Sequence, residues 1–282
     1  MTRNALADLV IRPRDRSFRC GTENKRWWVG GDPVATAYYN AFSASFPQVE
    51  RFFIEALRRY RDRAAPELQK QIAAFIAQEA VHSREHITFN RDTICQGYDL
   101  KRIDAALKQR LDWARTLTPL RQVASVAALE HCTAILSHEV IAKEQLDTAP
   151  AEIQRLMYWH AGEEVEHKAV AFDTFMLAAQ SLSAPRRWLL RCSVMVSSTG
   201  LLVHFFLFAV GHFFRQDGIA SFSTWWRFLK FVLVKPGAVG RVAGPYFSWY
   251  LPGFHPWWRD DSALIQKAEW VSAPLQAQAA GA

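Results

Sequence analysis

From Pro47 the apolar positions Val49, Phe52, Phe53, Ala56 and Leu57 recur at three- and four-residue spacing, which predicts an amphipathic helix to about Arg63. Arg58, Arg59 and Arg61 supply its solvated face. Upstream, Asp32-Pro33 offers an N-cap and a first-turn proline, and the helical stretch it begins is expected to be interrupted at Phe46-Pro47, because an interior proline removes a backbone donor. Pro66 opens a second helix to about Asn90, with Phe75, Gln78, Glu79, His82, His86 and Phe89 in one stripe, and Gly97 closes that region. A shorter helix over residues 100–117 precedes Pro119, which starts a third long helix to about Gln145 with Val123, Val126, Ala127, Glu130, Ala134 and Ser137 on one face. Ala149-Pro150 starts a fourth, running through Ser181. Strand alternation, a glycine-rich phosphate loop and internal repeats are absent. The pattern predicts an all-α chain: an arm over residues 1–31, an antiparallel four-helix bundle over 32–182, and a separate helical region and tail over 183–282.

Polar residues that interrupt these apolar faces carry the chemistry. Glu79 and His82, and again Glu164 and His167, stand three residues apart, just under one helical turn, so each carboxylate and imidazole can reach one ion together. Two helices bearing Glu-x-x-His and two each giving one inward Glu form the ligand set of a carboxylate-bridged di-metal site in a four-helix bundle. Glu50 and Glu130 fill the two remaining places, since each interrupts an apolar face where an unpaired carboxylate is costly. One such residue alone reads as a hydrogen-bonded core group, but the order Glu, Glu-x-x-His, Glu, Glu-x-x-His along the chain points to metal. His160, one turn before Glu164, is a seventh candidate ligand, and His86, one turn after His82, is expected to line the pocket in support of the ligands. His131 points away from Glu130, and Glu85, Glu139, Glu163 and Glu166 are expected on outer faces, solvated or hydrogen-bonded. Carboxylate and imidazole without thiolate suit two iron ions, with manganese or zinc as alternatives. A ferrous pair can deliver two electrons to dioxygen, so the expected chemistry is that of an oxidase or oxygenase, with dioxygen as co-substrate and an external electron donor.

Composition changes the picture at the C-terminal end. Half of the 282 residues are hydrophobic, enough for a sizeable core, and the formal net charge is +7. Residues 184–270 hold ten Lys/Arg against four acids, so six of the seven excess positive charges lie there, among seven of the eleven tryptophans. Residues 192–214 contain no Asp, Glu, Lys or Arg. As a helix this run is about 34 Å long, enough to cross a bilayer core. Its serines and histidines, and arginines at both ends, leave orientation unencoded, and the alternative is a buried helix at a subunit interface. Interleaved aromatics and cations such as Trp225, Trp226, Arg227 and Lys230 can stack on single-stranded nucleic acid. The uncharged run favours lipid instead, as a span or a monotopic insertion, and no nucleic-acid partner is expected. Such an anchor implies a hydrophobic, lipid-like small-molecule substrate and self-association as a homo-oligomer. Scattered cysteines at Cys20, Cys95, Cys132 and Cys192, with no signal-peptide run, are read as reduced thiols, the metal domain facing the cytoplasm.

Several motifs carry a family resemblance: FPQVERFF at residues 46–53, FIAQEAVHSREH at 75–86, ALEHCTA at 128–134, WHAGEEVEHKAVAFD at 159–173 and PGFHPW at 252–257. On these the chain resembles the bacterial ferritin-like family labelled predicted metal-dependent hydrolase, over most of residues 35–258. The family pattern carries glycine where this chain has Val49. The His160, Glu164 and His167 spacing is also similar to that of the arylamine N-oxygenase branch of di-iron proteins, which implies an oxygenase or oxidase. The family label implies a different reaction, attack of a metal-bound hydroxide on an ester or amide. An iron-storage or purely structural bundle is the third reading.

Overall fold

The computed structural model describes residues 11–18 and 25–273. The remainder of the expected arm, including Cys20, and the last nine residues of the tail lie outside the described residues. Every regular element among the described residues is helical. In chain order these are α1 (Pro33–Arg61), α2 (Pro66–Cys95), α3 (Lys101–Arg115), α4 (Pro119–Ala142), α5 (Ala151–Glu166), α6 (Val170–Ala178), α7 (Ala184–Gln216) and α8 (Phe222–Leu233). Short α9 (Ala238–Arg241) and α10 (Ala243–Ser248), a 3-10 turn at Pro256–Trp258 and α11 (Ser262–Ser272) complete the chain. Pro33, Pro66 and Pro119 sit in first turns, where a missing N–H costs nothing, and Asp32 caps α1 by accepting from the Val34 amide at 2.8 Å.

α1 pairs with α2, α4 pairs with α5 and α6, and contacts of α4 with α1 and of α6 with α2 join the two pairs. Between them lies a core that includes Phe52, Phe75, Val126, Leu156, Trp159 and Phe175. α3 lies against α1, α7 packs on α4, α1 and α3, and α11 folds back onto α5. Gly162 on α5 permits that last approach: a Cβ there would stand 2.7 Å from the Ala268 Cβ.

The second helix runs past the expected Asn90 to Cys95, and two larger differences concern continuity. α1 continues through Pro47 instead of breaking there. Pro47 has no N–H to offer the Ser43 carbonyl one turn earlier, and the Asn90 side-chain amide of α2 donates to that carbonyl at 2.9 Å in its place. Conversely, the fourth helix is not continuous but ends at Glu166 and resumes at Val170. Lys168, in the break, is drawn into a buried ion pair with Asp261 at 2.6 Å and also donates to the Arg259 carbonyl at 2.8 Å. The break leaves His167 at the C-cap of α5, freed from helical geometry.

α7, with 33 residues, is long and apolar enough to cross a membrane. One face, including Met195, Phe205, Val210, Phe213 and Phe214, is buried, whereas Leu189, Val196, Val203 and Leu207 are exposed on the other.

Candidate metal centre

The fold brings together all seven side chains singled out by spacing, and all are buried: Glu50 from α1, Glu79 and His82 from α2, Glu130 from α4, His160 and Glu164 from α5, and His167 from the break. Ligand atoms of Glu79, His82, Glu164 and His167 lie within 4.8 Å of one another, and so do those of Glu50, His82 and His160. The two clusters share His82, and Glu164 links them, its Oε1 standing 3.0 Å from His160 Nε2, 3.8 Å from His82 Nδ1 and 3.9 Å from His167 Nε2. His167 Nε2 is 3.2 Å from Glu79 Oε1. Glu130 belongs to neither cluster as such; its Oε2 pairs with the other face of His167, Nδ1, at 3.0 Å.

Whether metal fits can be judged from unpaired atoms. Glu50 Oε1, both Glu79 oxygens, His82 Nδ1, Glu130 Oε1, Glu164 Oε2 and His167 Nε2 are buried without a hydrogen-bond partner. Buried polar atoms are almost always paired, so this concentration on six of seven predicted ligands fits a set that could hold cations. Four carboxylates also match the charge of two divalent ions.

His160 is the exception, and its surroundings show why. Asn90, having turned its amide nitrogen to the Ser43 carbonyl, presents Oδ1 to the Ser43 hydroxyl, which donates at 2.9 Å. The Ser43 oxygen then accepts from His86 Nδ1 at 2.9 Å, leaving His86 Nε2 to accept from His160 Nδ1 at 2.5 Å. The lone pair of His160 Nε2 is thereby directed at Glu50 and Glu164, the side a cation would occupy. His86 thus contacts His160, one of the candidate ligands. The chain of donors starts at the carbonyl that Pro47 leaves free.

Burial pushes Glu50 and Glu79 well above the usual carboxylate range, and neighbouring carboxylates push them further. Burial raises Glu130 to about 7, with Glu164 adding to it. Burial also opposes ionisation of Glu164, but the imidazoles of His160 and His167 against it outweigh this and hold it at about 2. For His167 burial acts downward, and Glu130 beside it prevails, lifting the imidazole to about 9. His82 and His86 are driven well below the ordinary histidine value, chiefly by burial.

Several supporting residues escaped the sequence reading. Glu163 is 2 % exposed and sits 3.0 Å from His82 Nε2, turning Nδ1 toward the cluster, while Trp159 and Arg14 donate to its other oxygen at 3.0 and 3.2 Å. Glu166 is also buried, accepting from Gln78 at 2.7 Å and from Arg14 at 2.9 Å, and Ser83 donates to Glu50 Oε2 at 2.8 Å. A solvated outer face for Glu163 and Glu166 is thus replaced by a hydrogen-bonded, covered one. No local signal separates them, because Glu163 and Glu166 stand three residues apart as on any polar helix face. His131 bonds to the Pro245 carbonyl at 3.1 Å, away from the cluster.

A family model described as predicted metal-dependent hydrolase matches residues 12–260. Comparisons with curated proteins and with solved structures give no match. The family description points to hydrolysis and overturns the expectation of an oxidoreductase. A ligand set of Glu and His is common to both chemistries, which is why spacing could not separate them. Dioxygen and an external electron donor were expected only on that redox reading.

Proposed function

Because the chain belongs to the predicted metal-dependent hydrolase family, we propose that it hydrolyses an ester or amide bond in an apolar, lipid-like compound at a two-metal centre in a ferritin-like bundle. The observation that carries this reading is the set of unpaired, buried ligand atoms on Glu50, Glu79, His82, Glu130, Glu164 and His167. Those residues with His160 would hold the ions, with iron, manganese and zinc all compatible with oxygen and nitrogen donors. Bound there, the ions supply Lewis acidity, polarising a carbonyl and making water acidic enough to react near neutral pH.

Support for an apolar substrate comes from a cavity of about 130 Å³ between α1, α3, α4 and α7. Phe46, Phe53, Leu111, Leu202 and Phe205 line it, and Glu50 and Glu164 are its only carboxylates. An acyl chain lying along the rings would bring its carbonyl to those two groups. Glu50, held at Oε2 by Ser83 at 2.8 Å, would present its unpaired Oε1 to an ion at the end of the cavity where that carbonyl arrives. The exposed apolar residues of α7, joined by Phe222, Trp226, Leu229 and Leu233 of α8, favour membrane contact. Since the opposite face of α7 is committed to the protein core, monotopic insertion suits the helix better than a span.

The test is hydrolysis of p-nitrophenyl esters of two to twelve carbons by zinc- or manganese-loaded protein without oxygen. Turnover that rises with chain length and disappears in Glu79→Ala is expected. Loaded protein that leaves every ester and the corresponding anilides intact would refute the reading.

A further inference from the structure

A cavity of about 1000 Å³ lies outside the candidate metal centre, between α6, the first turns of α7 and residues 252–258. That is the scale of a small-molecule pocket. Three sources of positive potential converge on its wall. Ala184 and Pro185 bring to it the N-terminal end of α7, which no side chain caps. Arg187 and Arg191 stand one turn apart on the same face of that helix and both line the cavity.

Arg191 is the telling residue. It is 6 % exposed, yet no carboxylate pairs with it among the described residues, and its Nε has no hydrogen-bond partner. Its Nη2 donates to the Leu251 carbonyl at 2.8 Å, the Cys192 thiol lies beside it, and its guanidinium carbon is 5.6–5.8 Å from the rings of Phe172, Trp249 and Phe254. These contacts hold the side chain in place without neutralising it, and an uncompensated buried cation carries a heavy desolvation penalty. The carboxylate on the cavity wall, Asp173, is engaged by His255 Nε2 at 3.2 Å. Trp188, Trp257, Trp258 and Met176 make the rest of the wall apolar and aromatic.

We propose that this cavity binds the phosphate head group of an anionic amphiphile, the head on Arg191 and Arg187 at the start of α7 and the apolar portion along Trp188, Trp257 and Trp258. Phosphate suits the site better than carboxylate because its oxygens can take two guanidinium groups and helix N–H groups together. The same chemistry is offered by a phospholipid in a bilayer and by a soluble phosphate monoester. The metal centre takes no part, so the site stands or falls apart from the hydrolase reading.

The experiment is calorimetric titration of the full-length protein with dodecyl phosphate below its micellar concentration, with inorganic phosphate as competitor. Flotation with phosphatidylcholine vesicles, with and without phosphatidic acid, runs in parallel. Saturable binding of one dodecyl phosphate per chain is expected, weakened at least tenfold in Arg191→Met and in Arg187→Met. Competition by inorganic phosphate with no preference for phosphatidic acid identifies a soluble ligand; arginine-dependent flotation that phosphate does not suppress identifies a bilayer lipid. In phosphate-free buffer Arg191→Met should melt above the wild type, since it removes a charge without a counterion, whereas dodecyl phosphate should raise the melting temperature of the wild type alone. Arg187→Met, on the half-buried residue, carries the binding test if Arg191→Met does not fold. No saturable binding of dodecyl phosphate, or unchanged affinity in the variants that fold, would overturn the proposal.

Discussion

Replacing Ser43 by alanine tests the hydrogen-bonded chain behind His160 without touching a metal ligand. Ser43 is fully buried, and its hydroxyl serves both the Asn90 oxygen and His86 Nδ1. Its loss leaves His86 Nδ1 buried and unpaired and takes the donor from the half-buried Asn90 oxygen, so metal-free Ser43→Ala is expected to lose about 1–3 kcal/mol in urea unfolding. The effect on metal comes through tautomers. With no acceptor at Nδ1, the His86 proton moves to Nε2, His160 must then accept at Nδ1, and the proton of His160 shifts to Nε2, the nitrogen that faces Glu50 and Glu164. A supporting group of this kind is worth ~10–100-fold in metal affinity, which is about 1.4–2.7 kcal/mol. Competition with a chelator should place that loss on the ion near His160 and leave the ion near His167 and Glu79 at wild-type affinity. If Ser43→Ala is destabilised yet binds both ions as the wild type does, the orientation argument fails.

Three further outcomes are expected. Glu164→Ala, which removes the carboxylate linking the two clusters, should abolish binding of both ions by elemental analysis; retention of two ions per chain would show that the clusters are independent. Metal-free protein should become less stable as pH rises from 6.5 to 9. Glu50, Glu79, Glu130 and His167 all have folded pKa values above their unfolded ones, so the folded state holds more protons there and stability is lost as each deprotonates. His82 and His86, depressed by burial, are neutral in the folded state throughout; the protons they still hold in the unfolded state near pH 6.5 give an opposing gain that ends by about pH 7.5, and Glu164 titrates far below the window. Metal-loaded protein should show a growing stabilisation over the same range, because ligands bind ions only when deprotonated; a melting temperature of metal-free protein that is flat or rising would contradict the assignment. Gly162→Ala should cost about 1–3 kcal/mol in thermal unfolding through its clash with Ala268, relieved by Ala268→Gly; an unaffected single variant would mean that α11 yields easily.

The clustering of the candidate ligands was legible because a helix converts a three-residue spacing into a shared face, and because a carboxylate at an apolar position, such as Glu50 or Glu130, is too costly to bury unless a cation or a donor meets it. What supports them was not. Glu163 and Glu166 look like the polar side of an ordinary helix until α11 and Arg14 are known to cover that side, which is a tertiary fact. Pro47 reads locally as a break, and only Asn90, 43 residues away, makes the helix continue. The interruption after Glu166 has the same origin, since nothing near Lys168 announces that Asp261 will claim it. Spacing also picks out residues that could hold metal rather than the bond acted on, and there the family description points to hydrolysis.

The cover over α5 has a consequence for how the protein is made. Arg14 joins Glu163, Glu166 and Glu269, and Arg16 and Arg155 both reach the Ser272 carbonyl, so the two ends of the chain close over the metal centre from outside. All seven predicted ligands have been synthesised once His167 is added, but α11 follows about a hundred residues later. At ~5–20 residues per second the nascent chain spends roughly 5–20 s with its ligands complete and its cover still missing. Ion entry during translation thus has a route on the α5 side that the finished protein lacks, and the metal abundant beside the ribosome in that interval gains a head start over tighter-binding competitors that arrive afterwards.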